Sequence, residues 1–488
     1  MRAIILAAFL LVVTAFLSSG AYAGMEDRVV NIIVTAQKQD YASPWQRGNI
    51  ARSMVTGCVI AGNRILTSAY SLTDHVVIEV MKNGESKKYP ARVVINDYHS
   101  GLAIIAPEDE SFFKGLKPAA LAPAWKMPGR EGKVYKWDSL SSFKEYNAGL
   151  TKSSIRFYEP TCAVLMHQFS TSMNDGGNGE PVFIDGMLCG ITTGLSNETK
   201  TLYAISIEAV HRLLKDMGDG TYGGIPFFWV DTADLQSDTS LREYYGMGAD
   251  DTGVLVTDVP PGSSGSEVLK RNDIILSVDR TTMDDTGMYD SPYGKLYYYG
   301  LIQINRFVGD TVSMRILRDK AKMDVRFKLK PIPRSYSVIP LISYDSPPAY
   351  YIFGGIVFQN LTMGYLEAHG SEWKQKADKR LLYYYDNVKA LSSTGEINNV
   401  VIVNRVLPDT VNQGYQYYKD LVLLRVNGVR VRDLAHLKKL VGGSADRFIV
   451  MDFVGETTIV LDRKLAVERE QELKSTYNIN SMEYIPGD

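Results

Sequence analysis

A chain of 488 residues that is 45% hydrophobic and only 22% charged carries enough apolar surface for about three cored domains, which excludes a disordered or fibrous protein. Its 53 Lys+Arg and 55 Asp+Glu leave a formal net charge of -2, so no broad electrostatic attraction to nucleic acid or an acidic membrane is expected. Any partner must be recognised locally.

The chain opens with Met1-Arg2-Ala3, an apolar run from Ile4 to Leu17, and Ala21-Tyr22-Ala23. A positive start, a greasy middle and a small-x-small site predict a cleavable signal peptide over 1–23, cut near Ala23, and a periplasmic or secreted mature chain. An uncleaved anchor is the alternative, although about 14 apolar residues are short for a spanning helix. No later segment is apolar enough to cross a bilayer. Cys58, Cys162 and Cys189 permit at most one bridge. Cys162 and Cys189 flank one central loop, and they either pair there or stay as buried free thiols. No histidine is placed by sequence to serve a cysteine nucleophile.

Residues 28–215 read as many brief strands, among them Val29–Val34, Gly57–Ala61, Arg64–Ala69, Val76–Val80 and Leu102–Ile105, parted by Gly, Asn and Asp turns. That spacing predicts paired β-barrels. Between the apolar runs Ala163–Met166 and Pro181–Ile184 lies Met173-Asn174-Asp175-Gly176-Gly177-Asn178-Gly179-Glu180-Pro181. Glycines this dense let successive N–H groups point into one concavity, as in an oxyanion hole.

This loop resembles the nucleophile loop of trypsin-like HtrA/Deg proteases, usually Gly-Asn-Ser-Gly-Gly-Pro, with Asn178 where the serine falls. Thr56-Gly57-Cys58-Val59-Ile60, followed by Ile65-Leu66-Thr67-Ser68-Ala69-Tyr70, is similar to the family's histidine motif and puts Tyr70 at the histidine. Gly101-Leu102-Ala103-Ile104-Ile105 resembles its aspartate motif and puts Gly101 at the acid. Set against the family, the triad positions are Tyr70, Gly101 and Asn178, with Gly176 and Gly177 as remnants of the oxyanion loop. A carboxamide has no proton to give up as a nucleophile, and a phenol of pKa about 10 does not shuttle protons at pH 7. The expectation is therefore a chain that is not an enzyme. A site rebuilt from His75, His99 and Ser172 is the alternative.

His211–Lys215 predicts a short closing helix and 216–221 a joint. Residues 222–333 resemble the family's first PDZ domain: Gly223-Gly224-Ile225-Pro226-Phe227 matches the carboxylate-binding loop, and Asn272-Asp273-Ile274-Ile275-Leu276-Ser277-Val278-Asp279 a later strand and turn. Pro226 lacks an N–H where an added peptide strand would begin to pair. A proline-bearing linker, 334–348, leads to a second PDZ-like domain, 349–463, whose Phe353, Gly354, Gly355 and Ile356 stand at the corresponding loop, and the chain ends in a charged helical tail, 464–488. The tyrosine triplets 297–299 and 383–385 are candidates for interfaces.

The fold expected is mostly β: a trypsin-like double β-barrel followed by two PDZ-like α+β domains. The function expected from the resemblance is a catalytically inactive HtrA/Deg-like protein acting as a periplasmic peptide- or protein-binding scaffold, chaperone or assembly factor, homo-oligomeric, with no cofactor and no metal. An active envelope endopeptidase and a structural subunit of an envelope machine are the alternatives.

Overall fold

The computed structural model describes residues 24–486 except 83, 127–128, 140–141, 160–161, 219, 237–238, 334–336, 341–343, 389–390 and 392–394. The signal-peptide expectation thus lies outside the described residues, as does part of the linker. The fold is mostly β. Six strands close the first barrel: β1 (Val29–Gln39), β2 (Arg47–Ile60), β3 (Arg64–Ser68), β4 (His75–Met81), β5 (Tyr89–Asp97) and β6 (Leu102–Pro107), ordered β1-β2-β3-β6-β5-β4. Six more close the second: β7 (Glu131–Ser139), β8 (Ser142–Glu159), β9 (Cys162–Thr171), β10 (Pro181–Ile184), β11 (Met187–Ser196) and β12 (Thr201–Ser206), ordered β10-β11-β12-β9-β8-β7. Closure leaves neither sheet with an unpaired edge. The barrel interiors are lined by Val30, Ile32, Ile65 and Ile105 in the first and by Val182, Ile191, Leu202 and Ile205 in the second, all buried.

The helix Ile207–Asp216 closes the second barrel through Val210 and Leu213, and the first PDZ follows in the same compact unit. Its strands are β13 (Asp231–Ala233), β14 (Val254–Asp258), β15 (Ile274–Val278), β16 (Thr281–Thr282), β17 (Met288–Ser291), β18 (Gly294–Tyr297), β19 (Thr311–Arg318) and β20 (Ala321–Lys328). The triplet at 297–299 packs within this unit, Tyr297 and Tyr299 meeting Phe157 of β8 edge-on at 6.3 and 5.1 Å. Tyr298 and Tyr299 are buried in this domain's core, where the Tyr299 hydroxyl donates to Val230 O and accepts from Val230 N, both at 2.8 Å. A phenol is buried cheaply once its oxygen is satisfied.

The second compact unit comprises residues 333–488 together with 37–50. Its strands are β21 (Tyr350–Phe353), β22 (Ile356–Asn360), β23 (Val401–Val406), β24 (Leu421–Val426), β25 (Val429–Arg430), β26 (Phe448–Phe453), β27 (Thr458–Asp462) and β28 (Glu483–Tyr484), along the path β27-β26-β24-β23-β22-β21-β28 with β25 on β24. Residues 37–50 sit in the expected first domain by sequence but pack with this unit. Gln359 Nε2 and Asn404 Nδ2 both donate to Tyr41 O at 2.8 Å, and Trp45 meets Tyr350 edge-on at 6.4 Å. The charged tail docks on the same unit through helices Arg463–Glu468 and Glu470–Tyr477, with Leu473 buried and β28 paired to β21.

Candidate functional site

The glycine-rich loop connects β9 to β10 and reaches across to the first barrel, where Asn178 O accepts from Thr56 N at 3.3 Å. Close approach forces its composition. A Cβ on Gly179 would lie 2.2 Å from Thr67 Oγ1, and one on Gly177 would lie 2.5 Å from the Gly194 carbonyl carbon, at φ values of +97° and +84° that L side chains avoid.

The loop's amides are already in use. Gly177 N and Asn178 N donate to Glu180 Oε2 at 2.9 and 2.8 Å, and the Thr192 hydroxyl donates to the same oxygen. Glu180 is buried, and its own backbone oxygen accepts from Thr192 N at 2.9 Å. These are charge-assisted bonds in a site with little water, so they are strong. An oxyanion forming on a bound substrate would have to displace the Glu180 carboxylate to reach these donors. No local signal in the sequence marks the folding back of Glu180 onto residues 177 and 178.

Tyr70 lies in the short 3-10 turn Ala69–Leu72 after β3, and its hydroxyl donates to Tyr98 O at 2.9 Å. Gly101 begins the aspartate motif at φ +74°, with its N–H on Asp97 O at 2.8 Å and its carbonyl accepting from Ala69 N at 2.9 Å. Gly101 and the turn bearing Tyr70 thus meet at the end of β3, and Asn178 meets the neighbouring strand β2. Asn178 itself is exposed.

The members of the alternative trio each have their own surroundings. His75 Nδ1 lies 2.9 Å from Leu72 O, Ser172 is exposed, and His99 Nδ1 lies 3.2 Å from Cys162 Sγ. That last pair is a cysteine–histidine contact that sequence reasoning missed, since 63 residues separate its members. Cys162 is fully buried, out of reach of a substrate carbonyl. All three cysteines are free thiols, so Cys162 and Cys189 do not pair. Burial pushes the Cys58 and Cys189 thiols up to about 12, which leaves both inert at neutral pH. Among the described residues no cluster of three His, Cys, Asp or Glu could hold a metal.

The first PDZ loop is occupied in the same way. Gly224 N donates to Asp216 Oδ2 at 2.9 Å and Gly223 N to Asp216 Oδ1 at 3.4 Å, while the Arg212 guanidinium donates to Gly224 O. Asp216 ends the closing helix and its carboxylate sits where the resemblance puts a peptide's terminal carboxylate. Beyond it, Ile225 is buried with Val210 and Leu213, Pro226 O accepts from Gln303 Nε2 at 2.8 Å, and Phe227 N donates to Lys330 O at 2.8 Å. In the second PDZ, Gly354 and Gly355 form the tight turn between β21 and β22, with Phe353 and Ile356 paired across it. Gly354 O accepts from Asn412 Nδ2 at 2.8 Å and Gly355 O from Leu407 N at 2.7 Å. β22 is hydrogen-bonded to β21 on one side and β23 on the other, so it offers no open edge for an added strand.

A family model described as a PDZ domain matches residues 339–483. The chain is similar to "Protease Do-like 4, mitochondrial" of Arabidopsis thaliana, 27% identical over 463 residues, covering 93% of this chain and 84% of that protein. It is likewise similar to "Protease Do-like 2, chloroplastic" of the same plant, at 26% identity over 93% of this chain and 74% of that one. Along nearly its whole length the chain is thus similar to proteases of the HtrA/Deg family. Among solved structures, "HtrA-type protease AlgW with decapeptide" is 15% identical, covering 63% of this chain and 96% of that one with a TM-score of 0.48.

These relatives overturn the expectation that the chain is not an enzyme. Proteins that match this chain along nearly its whole length are named proteases, which points to a protease rather than to a non-enzyme. Tyr70, Gly101 and Asn178 are features of a chain within that class and do not place it outside. No helix among the described residues is long and apolar enough to cross a membrane.

Proposed function

We propose that this HtrA-type chain works on protein clients in an exported compartment, periplasmic or extracellular, capturing peptide segments through its PDZ modules as a scaffold, chaperone or assembly factor and assembling with copies of itself. One observation carries the reading: the Gly223-Gly224 loop holds a carboxylate on two backbone amides, the chemistry by which such loops receive the end of a peptide. The occupant is Asp216 of the same chain, so an incoming C-terminus must compete with a tethered acid. The signal-like 1–23 segment supports the compartment.

The mature full-length protein should bind fluorescein-labelled unfolded casein by anisotropy, and no binding at tens of micromolar protein would overturn the reading. In Asp216→Ala, a labelled peptide with a free C-terminal carboxylate should bind at least about tenfold tighter than in the parent, and tighter than the same peptide amidated, since a tethered competitor is gone. Equal affinity for acid and amide would remove the Gly223-Gly224 loop from the proposal.

A further inference from the structure

A cavity of about 510 Å³ opens on the second PDZ unit, within the roughly 300–1,000 Å³ of ligand-binding pockets. Aromatic side chains form much of its wall: Tyr41 from the N-terminal segment, Tyr365 from the helix Met363–Glu367, and Tyr417 from the loop that precedes β24. Tyr417 is 86% exposed, an unusual place for so large a ring. Two cations, Arg405 near the end of β23 and Lys419, complete the lining.

The cations set the chemistry. Among the described residues neither the half-buried Arg405 guanidinium nor the Lys419 ammonium has a hydrogen-bond or ion-pair partner. Some other guanidinium groups of this unit are paired: Arg469 grips the Asp409 carboxylate through Nε and Nη2 at 3.0 and 2.8 Å, and Arg380 holds Asp378 at 2.8 Å. The one carboxylate on the cavity wall, Asp420, is buried and accepts from the Tyr365 hydroxyl at 2.7 Å. A fork of guanidinium donors left open beside flat rings matches a carboxylate in an aromatic setting.

We infer that this cavity binds an acidic, aromatic-containing segment of a client protein, with the client's carboxylate on Arg405 and Lys419 and its ring against Tyr41, Tyr365 and Tyr417. The inference deepens the capture function above and rests on it, yet it uses a surface apart from both PDZ loops. Charge complementarity selects the occupant: two unpartnered cations against one engaged carboxylate favour a side chain bearing negative charge, and four tyrosines in the lining favour a planar neighbour.

The probe is a fluorescein-labelled, C-terminally amidated peptide carrying Glu-Phe-Asp-Tyr, compared with its Gln-Phe-Asn-Tyr counterpart on the full-length protein. The acidic peptide should bind and weaken with salt, and the amide counterpart should bind at least about tenfold less well, as should the acidic one to Arg405→Gln, the size expected for losing a buried arginine contact. Tyr417→Ala, a change at an exposed position that leaves the fold intact, should cost about fivefold on the same grounds. Equal binding of the two peptides, or full binding to both Arg405→Gln and Tyr417→Ala, overturns the assignment. Casein binding that persists beside such a result would sink this pocket while leaving the capture function standing.

Discussion

At the scale of single residues, Glu180 decides what the glycine-rich loop can do. Its carboxylate is the shared acceptor for Gly177, Asn178 and Thr192, so Glu180→Ala strands three donors, two of them buried, and should cost about 3 kcal/mol in urea unfolding. Asn178→Ser alone should gain no fluorophosphonate adduct at residue 178, because position 70 is a tyrosine bound to Tyr98 O and the loop amides stay on Glu180. Adding Tyr70→His, Gly101→Asp and Glu180→Gly should produce that adduct, read by mass spectrometry. His167 gives a pH signature. Burial holds its imidazole down to about 4, with Glu208 opposing weakly, and its Nδ1 lies 2.9 Å from Ser153 Oγ. Between its unfolded value near 6.5 and about 4 the unfolded chain binds the extra proton, so stability rises with pH across that window. The native protein should lose about 3 kcal/mol from this group between pH 7 and pH 4, and His167→Gln should flatten that part of the profile. The turn at Tyr70 after β3 and the start of β6 after Gly101 were legible because apolar runs bounded by turn residues mark both strands. The Glu180 fold-back and the His99–Cys162 contact were not, since side-chain direction and 63 residues of separation leave no local signal.

At the scale of elements, apolar runs bounded by turn residues predicted the strands well. Pro181–Ile184 is strand β10 as read, and Asp185-Gly186 is its turn, at φ +50° and +76°. The pairing partners were less legible, because alternation tells which face is buried and not which neighbour hydrogen-bonds. Thus Phe353-Gly354-Gly355-Ile356 read as a peptide-receiving loop, whereas the glycines turn β21 back onto β22 and fill that edge from within. The tail read as charged and helical; in the structure it is two helices locked by Leu473 and by the Arg469–Asp409 fork. Leu473→Ala, which empties a buried site among Tyr350, Ile352 and Val357, should cost about 2–5 kcal/mol in the unfolding of the second unit.

At the scale of the whole molecule, the order of two barrels and two PDZ modules was written in the sequence, but the assignment of residues 37–50 was not. They leave the first barrel, join the second unit through Tyr41 and Trp45, and return. The polypeptide therefore passes between the units at three places, not one. A specific protease site engineered between Ile332 and Val338, once cut, should leave two fragments that co-elute in native size-exclusion chromatography and part only in denaturant. Fragments that separate without denaturant would refute the tie.

That loop-out also sets a timetable. Tyr41 O receives its hydrogen bond from Asn404, 363 residues downstream, so at about 5–20 residues per second the arm waits tens of seconds for its seat to be made. Until then Tyr41 and Trp45 lack their seat, and a newborn chain stalled before β23 presents to holdases two aromatic rings that the completed protein half-buries.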